Sequence, residues 1–153
     1  MKYYTKPYSD NVKQIIQCLK DERTAQGISI RDLAASLGVY PNSIQQILDT
    51  NANPQLDSIV KVGNALGTTF SVSNTRSYDM GADGIIDLLA KARTYKEIST
   101  RELAKMTGLT PPEICKILSH KTTPRLNAVL LISKALGVGL ELYTETGQQF
   151  FFF

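Results

Sequence analysis

Residues 28–67 read ISIRDLAASLGVYPNSIQQILDTNANPQLDSIVKVGNALG, and residues 98–137 read ISTRELAKMTGLTPPEICKILSHKTTPRLNAVLLISKALG. Aligned at a spacing of 70 residues, the two stretches extend without a gap to residues 15–72 and 85–142, where 20 of the 58 aligned pairs are identical. The identities fall largely on glycine, proline and apolar positions, which shape turns and cores. The sequence therefore predicts two copies of one module.

The first two helices of each copy are predicted from apolar spacing and from helix caps. Val12–Glu22 and Ile85–Arg93 carry apolar residues at helical spacing. The second helix opens with a capping box in each copy, Ser29 with Asp32 and Ser99 with Glu102. It is predicted to stop before a glycine that takes the left-handed conformation of a tight turn, Gly38 or Gly108.

Prolines mark the remaining helices. The third helix is predicted to begin at Pro41 or Pro111, where a missing N–H costs nothing, and to end near Leu48 or Leu118. The fourth helix is predicted to begin at Pro54 or Pro124, with Asn53 and Thr123 as N-caps, and to end at Gly67 or Gly137. The alternating residues that follow, Thr68–Ser73 and Val138–Tyr143, predict a short strand in each copy.

Composition narrows the class of protein. The chain of 153 residues is 42% apolar and 20% charged, with a formal net charge of +3, which is typical of a soluble folded protein. Without an apolar run of about 20 residues or an apolar signal segment, we expect a cytoplasmic protein with no membrane partner. Only Cys18, Cys115 and His120 could serve as soft ligands, so we expect reduced core thiols, no metal, no cofactor and no enzymatic activity.

The short turn between the second and third helices predicts a helix-turn-helix, whose second helix fits the major groove of B-DNA. The order LA-x3-G-x5-I-x2-(I/L)-L-x5-P-x-L, closing with ALG, resembles the Cro/CI-type (XRE) repressor family and occurs twice, over about 120 residues. The resemblance implies an all-α fold of two tandem lambda-repressor-like four-helix domains. It also implies a sequence-specific regulator that binds double-stranded DNA, expected to act as a repressor.

The third helix of the first copy predicts a reading surface. Ile44, Ile47 and Leu48 share one helical face, and the outward positions are mostly amides, which can pair with adenine in the major groove. By position in the family's motif, the candidate base contacts are Asn42, Ser43, Gln45 and Gln46, with Lys116 in the second copy. At the other outward positions the second copy has Pro112, Cys115 and Ser119, and Glu113 completes a capping box with Thr110.

Phosphate contacts are expected from the second helices and from the loops after the third helices. The candidates are Arg31, Asn51, Asn53, Arg101, His120, Lys121 and Arg125. Residues 11–73 contain five basic and five acidic side chains, and residues 82–147 contain nine and seven. The sequence therefore suggests amide readout by the first copy and phosphate binding by the second. Simple divergence after duplication is the alternative.

The predicted organisation is an N-terminal arm (1–10), a first domain (11–73), a linker (74–83), a second domain (84–147) and an aromatic tail (148–153). Within one chain the two strands could pair antiparallel, with Phe70, Val72, Leu140 and Leu142 on one face, and so imitate a repressor dimer. The alternative is a homodimer that associates through the tail Phe150–Phe153. The tail itself is either a hydrophobic lid or a docking peptide.

A second class of function stays open. Similar repressors often have Gln at the start of the second helix, where this chain has Ile30 and Thr100. Ile30 and Tyr40 would then form a protein-binding patch on the first copy. HipB-type antitoxins and phage inhibitor proteins resemble these repeats, so a protein partner such as a toxin is the alternative to DNA.

Overall fold

The structure, a computed structural model, describes residues 5–72, 81–145, 147 and 149–152. Within them the chain forms eight helices and three strands. The helices are α1 (Thr5–Gln26), α2 (Ile30–Leu37), α3 (Pro41–Ile47), α4 (Leu56–Ala65), α5 (Ala82–Tyr95), α6 (Thr100–Thr107), α7 (Pro111–Leu118) and α8 (Leu126–Ala135), and the strands are β1 (Thr69–Val72), β2 (Leu140–Tyr143) and β3 (Gln149–Phe152). The predicted all-α class is confirmed, with four helices and a strand in each copy. We call residues 11–73 copy 1 and residues 84–147 copy 2.

The first helix is longer than the sequence pattern predicts. It begins at Thr5 rather than Val12, so residues 5–10 of the predicted arm are helical. Pro7 is tolerated because it lies in the first turn, where backbone N–H groups have no helical partner. Residues 1–4 of the arm and residues 73–80, which include most of the predicted linker, lie outside the described part of the chain.

The turn between the second and third helices is built as predicted in both copies. The hydroxyls of Ser29 and Ser99 accept hydrogen bonds from the backbone N–H groups of Asp32 and Glu102, each at 3.0 Å. Gly38 and Gly108 end these helices in the left-handed conformation, with φ of 68° and 79°. Pro41 and Pro111 are the first residues of α3 and α7. These local signals explain why the helix-turn-helix can be predicted from sequence.

The predicted start of the fourth helices is wrong. These helices begin at Leu56 and Leu126, and their N-caps are Gln55 and Arg125 rather than Asn53 and Thr123. The reason is a contact between the copies: the N–H of Leu56 donates to the Pro124 carbonyl, and that of Leu126 donates to the Pro54 carbonyl, both at 2.8 Å. The chain must stay extended to make this reciprocal pair. We call residues 53–56 and 123–126 the central joint.

The two copies share one hydrophobic core instead of closing two separate ones. A single cluster of buried apolar side chains includes residues from both copies, among them Ile15, Ile44, Ile85 and Ile114. The first helix of each copy, α1 or α5, contacts the fourth helices of both copies, α4 and α8. Each copy therefore depends on the other for part of its buried surface.

The predicted strand pair is confirmed, and the tail adds a third strand. β1 and β2 are antiparallel, with Phe70 opposite Leu142 and Val72 opposite Leu140. These four side chains are buried, so they join the copies as expected. β3 pairs with the other edge of β2, and Phe150 packs half-buried against the core, as a hydrophobic lid would. No described helix is long and apolar enough to cross a membrane.

Candidate nucleic-acid interface

The third helix of copy 1 presents a row of amides. On its inner face, Ile44 and Leu48 are buried. On its outer face Asn42, Gln45 and Gln46 are exposed. None of these three side chains makes a hydrogen bond to the part of the chain that the structure describes. The predicted readout residues are thus available as hydrogen-bond donors and acceptors, while Ser43 is half-buried beside them.

The third helix of copy 2 has a different outer face. The Lys116 side chain is exposed and makes no hydrogen bond or ion pair to the described residues. Glu113 accepts from the Thr110 N–H at 2.8 Å and donates its own N–H to the Thr110 hydroxyl, which completes the predicted capping box. Lys116 is therefore the main cationic group of this surface.

The cysteines were expected in the core, and one is not. Cys115 is exposed on the outer face of α7, whereas Cys18 is half-buried, and both are free thiols. Burial, with a smaller contribution from the nearby Asp21 carboxylate, raises the pKa of Cys18 to about 11. Cys18 is thus a protonated, unreactive thiol near neutral pH, and Cys115 is the accessible one.

Four of the predicted phosphate contacts are exposed. Arg31 and Arg101 are the second residues of α2 and α6, and Lys121 follows α7. These three side chains have no internal partner among the described residues. Asn51 is also exposed; only its backbone N–H is engaged, donating to the Asp49 carboxylate at 2.9 Å. A cation at the start of a helix can reach an anion that approaches the helix N-terminus.

Two other predicted phosphate contacts belong to the central joint. Arg125 donates from Nη1 to the Asn53 carbonyl at 2.9 Å, and the Asn53 side-chain oxygen accepts from the Asn127 N–H at 3.0 Å. Asn53 therefore links the two copies, and its predicted contact with phosphate stays a prediction. Arg125 keeps its remaining guanidinium N–H groups for another partner.

His120 was predicted to contact phosphate, but its ring faces two carboxylates. Nε2 lies 2.6 Å from Asp87 Oδ1, and Nδ1 lies 3.5 Å from Asp83 Oδ1. The hydrogen bond to Asp87, more than the charges of the two carboxylates, raises the pKa of His120. Asp83 and Asp87 are one turn apart on α5, and copy 1 has Lys13 and Gln17 at those positions. We therefore leave His120 out of the candidate DNA surface.

A groove beside each third helix reaches the central joint. A groove of about 250 Å³ is lined by Gln46 and Ile47 of α3, and a groove of about 420 Å³ is lined by Lys116 and Ile117 of α7. Asn53 and Arg125 line both grooves. The carboxyl-terminal halves of α3 and α7 therefore flank the same joint, as an approximate two-fold axis through that joint requires.

Comparison with known families identifies a helix-turn-helix match in copy 2. Residues 89–143 match the helix-turn-helix family model HTH_3. The matched segment runs from α5 to β2 and includes the helix-turn-helix of copy 2. It supports a DNA-binding regulator of the XRE type rather than an enzyme. No curated protein and no solved structure matches the chain.

Proposed function

We propose that the protein is a repressor that binds operator DNA with both of its helix-turn-helix units. The observation that carries this proposal is the position of α3 and α7 on either side of the central joint. Dimeric regulators use a two-fold axis to place two such helices in successive major grooves, about 34 Å apart. In this chain the reciprocal backbone pair at Pro54 and Pro124 supplies an equivalent axis inside one polypeptide.

The two copies are proposed to read different half-sites. Asn42 and Gln46 carry amides that can pair bidentately with adenine, and Gln45 and Ser43 lie beside them. Lys116 can donate to the O6 and N7 atoms of guanine. The operator is therefore expected to be an imperfect palindrome. Arg31, Arg101 and Lys121 would hold the phosphate backbone on both sides.

The test is a selection of bound sequences from a random DNA pool, followed by mass measurement of the complex. We expect one enriched asymmetric site whose half-sites are about one helical turn apart, bound by one chain. A symmetric site that carries two chains would instead mean that the internal repeat does not provide the operator symmetry. Repression itself is tested by transcription in vitro from a promoter that overlaps the selected site, where added protein should lower the transcript yield.

One observation favours a second function, a protein-binding module of the antitoxin or inhibitor type. Tyr40 of the predicted patch is 81% exposed and follows Val39, which is 43% exposed. Ile30, the other predicted member, is half-buried against the core instead. Failure of the random pool to enrich any sequence, together with capture of a partner that is lost in Tyr40→Ser, would favour this function over DNA binding.

A further inference from the structure

The groove beside α7 differs in chemistry from its counterpart in copy 1. Its volume is about 420 Å³, and its floor includes Leu131, which is 2% exposed. The equivalent position in copy 1 is Lys61, which is exposed. Leu109 and Ala128 also line the groove, whereas Ser58 takes the place of Ala128 in the smaller groove beside α3. Copy 2 has thus acquired an apolar recess that copy 1 lacks. We call it the α7 cleft.

The rim of the α7 cleft is cationic. The Lys116 ammonium group has no partner in the described part of the chain, and Arg125 uses one guanidinium nitrogen for the central joint. Copy 1 has the neutral Gln46 and Gln55 at these positions. Glu113 also lines the cleft, but its carboxylate already accepts a hydrogen bond from the Thr110 N–H. The lining of the cleft therefore includes two cationic side chains and one carboxylate, and the carboxylate is already hydrogen-bonded.

A wall of the cleft also carries an unused acceptor. Asn127 Oδ1 is shielded from solvent and has no hydrogen-bond partner among the described residues. The equivalent Asp57 Oδ1 of copy 1 is also shielded and without a hydrogen-bond partner among these residues, so this acceptor is common to both copies. The features that distinguish the α7 cleft from copy 1 are the apolar recess and the cations, which are complementary to a ligand that combines an apolar body with an anionic group.

We propose that the α7 cleft binds a small organic anion of this kind. The apolar body would pack on Leu109, Ala128 and Leu131, and the anionic group would lie between Lys116 and Arg125. A second part rests on the proposed function: a bound anion lowers the affinity for DNA, because Lys116 cannot face the ligand and the major groove together. The cleft is then an effector site on the reading surface itself.

Binding is tested without DNA, using anilinonaphthalene sulfonate, which has an aromatic body, a sulfonate and an N–H. We expect saturable fluorescence at one molecule per chain. Ala128→Leu, which fills the cleft, should weaken binding about tenfold or more, since it removes space for the aromatic body. Ser58→Leu is the matched control in the groove beside α3 and should leave binding unchanged. Equal binding by wild type and Ala128→Leu would overturn the proposal.

The charge requirement is tested with phenylnaphthylamine, the analogue without the sulfonate. The wild type should bind the sulfonate several-fold more tightly than the neutral analogue, and Lys116→Ala should abolish most of that difference. Lys116 is exposed, so this variant remains informative even where Ala128→Leu unfolds the chain. Binding of the sulfonate that is unaffected by Lys116→Ala means an adventitious additive only, and the site is then rejected.

The regulatory part is tested by adding the sulfonate to the complex of protein and selected DNA. We expect the Kd for DNA to rise as the cleft fills, with no such rise in Ala128→Leu. If the sulfonate binds without changing the affinity for DNA, the regulatory role is refuted, and the proposal of an anion-binding site still holds. A protein that binds the sulfonate but no DNA at all refutes the proposed function, and the anion site stands on its own.

Discussion

Copy 1 and copy 2 have the same order of helices, but the outer faces of their third helices carry different side chains. Ile44 and Ile114 are both fully buried at equivalent positions, and both are isoleucine. Two residues further along each helix, on its outer face, Gln46 is exposed in copy 1 and Lys116 is exposed in copy 2. The comparison shows that the shared core constrains buried residues, while the exposed faces of α3 and α7 have been free to take different roles.

The largest effect is expected from breaking the shared core. Ile44→Ala and Ile114→Ala should each lower the free energy of unfolding by about 2–5 kcal/mol, because each leaves a cavity at a fully buried site. Since the copies share one core, denaturation followed by circular dichroism should show one transition in both variants. The exposed change Gln45→Ala is the control. Two transitions, of which only one moves, would mean that the copies unfold independently.

Readout by copy 1 should give the next largest effect. Asn42→Ala and Gln46→Ala should each weaken binding to the selected DNA by about 1–3 kcal/mol, because each removes an amide that is free to contact a base edge. Titrations on the selected site and on random DNA measure the difference, and binding to random DNA should hardly change. An equal loss on both DNAs would show that these amides do not read sequence.

The salt dependence of DNA binding should differ between a variant in the loop after α7 and the equivalent variant in copy 1. Lys121→Ala should weaken binding to every sequence and flatten the plot of log affinity against log salt by about one unit, through the loss of one released counterion. Affinity measured over a range of salt concentrations gives the slope. Asn51→Ala, the change at the equivalent position of copy 1, is the matched control and should leave the slope alone. An unaltered slope in Lys121→Ala would remove this residue from the interface.

A smaller effect is expected where the two copies end their first helices. Gly27 and Glu97 occupy equivalent positions, and both have positive φ, 69° and 55°. Gly27→Ala should lower stability by about 1 kcal/mol, because a side chain is strained in this conformation. Glu97→Gly should raise stability by roughly 0.5 kcal/mol, since relief of strain slightly exceeds the entropy cost of glycine. Thermal denaturation of both variants checks the opposite signs, and shifts of the same sign would contradict this account.

The smallest effect concerns the imidazole that only copy 2 has. Because the pKa of His120 is raised in the folded state, its contribution to stability is complete below the unfolded pKa, near 6.5, and is lost as pH rises through the folded pKa. Asp87→Asn should lower the pKa of His120 in an NMR titration, because Asp87 supplies the largest upward effect. Lys13→Ala, at the copy 1 position equivalent to Asp83, serves as a control. An unmoved titration would show that Asp87 does not hold the ring.

Local signals explain what the sequence could predict. Gly38 and Pro41, with their counterparts, specify a left-handed turn followed at once by a helix start, so both third helices were placed correctly. The repeat also predicted the pairing of β1 and β2, since equivalent strands on either side of a two-fold axis can meet only as an antiparallel pair. The amides of α3 followed from the same helical spacing.

Contacts between distant residues explain what the sequence could not predict. Pro54 and Pro124 look like helix starts, and only the reciprocal hydrogen bonds between copies keep them extended. Asn53 and His120 were predicted to contact phosphate, and the sequence could not reveal their hydrogen bonds to Asn127 and Asp87, because these partners lie 74 and 33 residues away. β3 lies beyond residues 85–142, where the aligned repeat ends, so the repeat carried no signal for it.

The reciprocal packing of α1 and α5 on both fourth helices has a consequence for gene dosage. A repressor that must first dimerise loses operator occupancy steeply as its cellular concentration falls, because the active species depends on the square of that concentration. In this chain the two halves are covalently joined, so the effective concentration of one for the other never falls. Under the proposed function, operator occupancy follows a simple hyperbola in the number of chains. Control is then graded, without the threshold of a dimerising regulator.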